Sequence, residues 1–256
     1  MLPKRLRYII SSILLTLGLL FVLFIDSQYK FIGLFVLVIL SVLFSVWSFF
    51  EGLGKNATLL SLILPALFTL GVGIFWFLLP SSVFTRIPVV ILYLIGIYIL
   101  LSTMNIYTVS SQKAIVLLRA ARGVGFVLTL LTAFLIFDAI LSLRINILLS
   151  APLILVSSLV LFLQGFWSID LDKTVDKNLF LLSLVSSIVV TEIQIMIFFW
   201  PVSVVAGSLF LTASIYLLLG LGQAKLEDRL FPNITREYLT VGAVVLLGMF
   251  LATHWG

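Results

Sequence analysis

The chain has 256 residues, 62% of them hydrophobic and 10% charged, with a mean hydropathy of +1.33. That composition excludes a soluble domain, whose charged fraction is usually about 25%, and the lack of cysteine excludes disulfides, thiolate nucleophiles and thiolate metal sites. The net charge of +5 does not point to nucleic acid, because the basic residues are scattered over short connections and not gathered on one element.

A helix needs roughly 20 apolar residues to cross the hydrocarbon core. Such runs occupy about 8–25, 31–50, 58–79, 88–104, 123–142, 147–167, 178–200, 201–222 and 238–255. The expected fold is therefore all-α: a polytopic transmembrane helix bundle of about nine spans, a single integral membrane domain over 1–256, with the lipid bilayer as its partner. The first run follows Lys4, Arg5 and Arg7 and has no small-x-small cleavage site before Asp26, so a retained span is expected, not a signal peptide. Between the fourth and fifth runs, Lys113, Arg119 and Arg122 flank a short amphipathic stretch. It is expected to lie at the inner surface, where the cations contact anionic headgroups or simply anchor the span.

Asp138 lies four residues before Ser142 near the outer end of the fifth span, close enough to the surface to stay hydrated and to pair with Arg144. The loop after the sixth span carries Asp170, Asp172 and Asp176. On a helix, Asp172 and Asp176 would face one way and could share Mg²⁺ on a diphosphate. This resembles half of the aspartate-rich signature of membrane prenyltransferases, a nine-helix family with the same orientation. The resemblance implies a second such motif after the second span, where this chain reads Glu51-Gly-Leu-Gly-Lys-Asn-Ala57. The other reading of the loop is a solvated connection whose carboxylates cap a helix.

Glu192 stands in the seventh run, eight residues before Trp200. A charge near the bilayer centre costs on the order of 3 kcal/mol on insertion scales, so such residues usually face a protein interior or a wet cavity. On a helical wheel it shares a face with Val185, Ile188, Val189, Ile195, Met196 and Phe199, while Ser183, Ser187, Thr191 and Gln194 form a polar stripe opposite, so neighbours are expected on both faces. Glu192 is either a proton, cation or ligand contact, with Asp138 and Gln194 as further candidates, or a packing residue bonded to a neighbouring helix. If the fifth and seventh spans pack together, Asp138 and Glu192 would line one cleft. The long apolar run is divided at Pro201, whose missing N–H disfavours an unbroken helix, so the seventh and eighth spans should be neighbours.

A cytoplasmic N-terminus leaves only Lys30, Arg86 and Arg144, of fifteen Lys and Arg, on the outer side, and the C-terminus then lies outside. Trp47, Trp76, Trp167, Trp200 and Trp255 fall near span ends, at headgroup level. His254 is the sole histidine, and no P-loop, GxSxG or HExxH motif is present. Catalysis is thus not favoured, and no cofactor is expected.

Glu192, then Phe199-Trp-Pro201, Gly207, Tyr216 and Gly220, and Glu237-Tyr-Leu-Thr-Val241 leading into the last span resemble an uncharacterised family of bacterial multi-span proteins, a domain of unknown function. The likeness lies mainly in residues 192–255. It implies a multi-pass protein of the bacterial cytoplasmic membrane and supplies no activity. The expected role is non-enzymatic binding or transport of a small solute or lipid. The alternatives are an enzyme acting on a lipid-linked diphosphate at the cytoplasmic face, or a structural subunit of a membrane complex.

Overall fold

The computed structural model describes residues 3–22, 24–53, 59–79, 83–109, 115–171, 174–251 and 253. Among these residues nine helices are long and apolar enough to cross a membrane: α1 Lys4–Val22, α2 Lys30–Phe49, α3 Leu60–Leu78, α4 Val83–Val109, α5 Ile115–Ser142, α6 Ile147–Asp170, α7 Lys177–Phe198, α8 Val204–Leu226 and α9 Pro232–Leu251. Helices are the expected solution, because every backbone polar group in hydrocarbon must be bonded within its own segment.

Several helices outrun the apolar windows that announce them. Of the amphipathic stretch, Ile115 to Arg122 is helical and continuous with the fifth span, while Lys113 lies outside the described residues. Likewise α4 begins ahead of Pro88 and α9 starts at Pro232, whose fixed φ suits a first helical position. Hydropathy registers only the lipid-facing middle, whereas the backbone ladder continues into polar ends. The division at Pro201 is observed: α7 ends at Phe198, α8 starts at Val204, and the two pack together. Ser203 caps α8, its hydroxyl accepting from Ala206 N–H at 3.3 Å.

The helices group into two compact units. In the first, residues 1–128 with 171–174, α1 packs on α2, α2 on α3 and α3 on α4, and α4 returns to α1. Its core contains the Thr69–Tyr93 hydroxyl pair at 3.0 Å, with Phe68 stacked on Tyr93 at 5.9 Å between centroids. After α2 the chain turns through Gly52, where a Cβ would lie 2.7 Å from Thr108 Oγ1 and 3.2 Å from its carbonyl oxygen. Only glycine fits that approach of the turn to α4. In the second unit, residues 129–170 with 175–256, α6, α7 and α8 pack mutually and α9 lies against α8. Within its helical span α9 buries only Met249, but past its end the Thr253 hydroxyl accepts from Trp200 Nε1 at 2.7 Å, tying it to the α7–α8 turn.

Candidate functional site

In the second unit Asp138, Ser150, Gln194 and Ser208 each lie three or four residues from the end or start of α5, α6, α7 and α8 respectively. At 1.5 Å per residue this places all four about 5–6 Å into their helices, in one layer below the α5–α6 and α7–α8 turns. Gly207 explains why their side chains converge. A Cβ at Gly207 would touch Ile197 of α7 at 3.2 Å and Leu141 of α5 at 3.3 Å. Residues three apart share a helix face. Gln194 and Asp138, each three before those contacts, therefore sit on the same inward faces one turn deeper.

All four side chains are buried: Asp138 is 5% exposed, Ser150 3%, and Gln194 and Ser208 0%. Gln194 Nε2 donates to Ser150 Oγ at 3.1 Å, joining α7 to α6. Ser208 Oγ lies 3.3 Å from Asp138 Oδ1 and 3.0 Å from the Val205 carbonyl. A serine has one hydroxyl proton, so these two acceptors compete for it. Asp138 has no ion-pair partner among the described residues, and Gln194 Oε1 is buried without a donor. The layer therefore presents a carboxylate and an amide oxygen, both short of donors. Chemically, such a site accepts a cation or a group rich in N–H or O–H.

Other expected candidates fall elsewhere. Glu192 is exposed, on the face that also exposes Val185, Ile188, Ile195, Met196 and Phe199. The seventh span thus has neighbours on the serine and Gln194 side and none covering the Glu192 side among the described residues. Small hydroxyl side chains permit close approach to α6 and α8, which the bulky Glu192 face does not. Asp138 and Glu192 accordingly line no common cleft: one is buried toward α8 and the other faces outward. Asp138 is buried instead of surface-exposed, and among the described residues it makes no ion pair with Arg144, which is exposed in the α5–α6 turn at φ 48°.

Asp176 caps α7, its two oxygens accepting from Lys177 N–H at 2.8 Å and Asn178 N–H at 3.3 Å. Residues 174–176, directly before α7, are not helical. Asp172 and Lys113 lie outside the described residues. Arg119 is exposed and Arg122 half-buried, both near the start of α5. No group of three or more His, Cys, Asp or Glu among the described residues is arranged to hold a metal.

A second polar cluster, in the first unit, escaped sequence reading. Arg7, 6% exposed, bonds Glu51 Oε1 at 2.6 Å, and Lys4 bonds Oε2 at 2.9 Å. Hydrogen bonds from Lys4 and then Arg7 hold the Glu51 carboxyl below its ordinary range. The signal available was only a basic N-terminus and a lone acid after the second span.

The nine long apolar helices among the described residues make this a multi-pass membrane protein. The chain belongs to a family described as a protein of unknown function (DUF5656), whose model matches residues 13–252. The family likeness thus runs over nearly the whole chain and is not confined to residues 192–255. No curated protein and no solved structure matches it.

Proposed function

We propose that the protein binds or transports a small cationic or donor-rich solute in the bacterial cytoplasmic membrane, with its N-terminus inside and C-terminus outside. The observation that carries this reading is Asp138, a carboxylate buried within a span with one shared hydroxyl donor and, among the described residues, no cation paired with it. Uncompensated acids at membrane depth are expensive and commonly mark solute or ion sites. Asp138 is the acidic contact, Gln194 supplies a second acceptor, and Ser150 and Ser208 position them. The engagement of Asp176 as a helix cap favours a non-enzymatic role, since that carboxylate already serves two backbone donors.

The test is thermal unfolding of the purified protein with Na⁺, K⁺, ammonium or guanidinium added at constant ionic strength. A ligand at 100 times its Kd adds about 2.7 kcal/mol of stability. Stabilisation by one of these cations in wild type, lost in Asp138→Asn and retained in Glu192→Gln, is the expected result. An equal response in wild type and Asp138→Asn would end this reading.

The exposed Glu192 supports a second reading, a structural subunit whose α7 face meets a partner helix carrying a donor. Association lost in Glu192→Leu, with cation response intact, favours that role.

A further inference from the structure

The first unit holds another set of unsatisfied groups, independent of Asp138. Trp76, three residues before the C-cap of α3, is 2% exposed, and its indole Nε1 is buried with no acceptor among the described residues. Arg86, three residues into α4, has its guanidinium carbon 5.6 Å from the Trp76 ring centroid. Its Nε is likewise buried without an acceptor, and no carboxylate among the described residues pairs with it.

Indole and guanidinium N–H groups donate only, so neither can satisfy the other. The cation–π contact uses the face of the indole and leaves its N–H, which points outward in the ring plane, free for a third group. A buried donor left unmade is unfavourable, and two together beside a permanent positive charge define what is missing: an anion with several acceptor oxygens. Both residues stand within about one turn of their helix ends, the level at which tryptophan and arginine meet lipid phosphates.

We propose that Trp76 and Arg86 form a phosphate-binding site, in which phosphate oxygens accept from Nε1 and Nε. The phosphate is that of a lipid headgroup or of free inorganic phosphate, and the experiment separates the two.

The full chain, purified in a neutral detergent, is melted with added phosphatidylglycerol, with diacylglycerol as the phosphate-free control, and with inorganic phosphate. Wild type is compared with Trp76→Phe, which keeps an aromatic ring and removes the N–H, and Arg86→Lys, which keeps the charge and removes Nε. Each protein is its own reference, so a lower basal melting temperature does not obscure the shift. Lipid counting by native mass spectrometry supplies a second readout should one variant fold poorly. The expected result is stabilisation of wild type by phosphatidylglycerol and not by diacylglycerol, with apparent affinity about tenfold weaker in both variants. A shift with inorganic phosphate alone, equally weakened in both, assigns the site to the free anion. Equal shifts in all three proteins, an equal response to diacylglycerol, or weakening in one variant only would overturn the two-donor site.

Discussion

Ser208 has one proton for two acceptors, the Val205 carbonyl at 3.0 Å and Asp138 Oδ1 at 3.3 Å. Removing that hydroxyl leaves Asp138 without its donor in a buried place, and an unmade buried bond costs about 1–3 kcal/mol, more for a charged group. Ser208→Ala should therefore lower unfolding stability by at least this much, and Ser208→Thr, which keeps a hydroxyl, should recover most of it. Reversible unfolding in mixed micelles measures both; an unchanged Ser208→Ala would show that Asp138 does not depend on this donor. At this scale the sequence exposed half of the layer. An aspartate and a glutamine inside apolar runs are conspicuous, whereas Ser150 and Ser208 are two serines among many, and only their neighbours distinguish them.

Among the elements, α7 shows how periodicity constrains and where it stops. The wheel separates Glu192 from the Ser183, Ser187, Thr191 and Gln194 stripe correctly, but it does not say which stripe meets protein. In water the apolar face would turn inward. In lipid that rule has no force, because tails are as apolar as leucine, and the small polar face packs instead. The start of α1 and the turn after α2 form a second linked pair through Lys4, Arg7 and Glu51. Glu51 titrates below its ordinary value of 4.5. A depressed folded-state value contributes stability that is present above the ordinary range and lost as pH falls through the folded value. Glu51→Gln should accordingly be less stable than wild type at pH 7, with the difference closing in acid below pH 4.5. A melting series from pH 7 to 3 checks it, and a difference that stays constant across the range would contradict the ion-pair origin.

For the whole molecule the proposed orientation rests on where its fifteen Lys and Arg lie. Because the chain contains no cysteine, single-cysteine variants need no background correction. Arg144→Cys in the α5–α6 turn should react with an impermeant thiol reagent applied to intact cells, and Arg229→Cys in the α8–α9 connection should react only after the membrane is opened. The reverse pattern would invert the topology. If all nine candidate spans cross, the two termini lie on opposite sides.

The sequence by itself determined the apolar surroundings, the helical class, the candidate spans and the break at Pro201, because each follows from a local rule: run length, backbone self-sufficiency or a missing N–H. Tertiary structure alone decided that Asp138 is buried and Glu192 is not, that Gly207 gathers α5 and α7 against α8, and that Arg86 lies over the Trp76 ring with both donors unmet among the described residues. Those facts depend on which helix faces touch. In a chain that is apolar on nearly every face, burial leaves little mark on the sequence, and packing of small and polar side chains settles it.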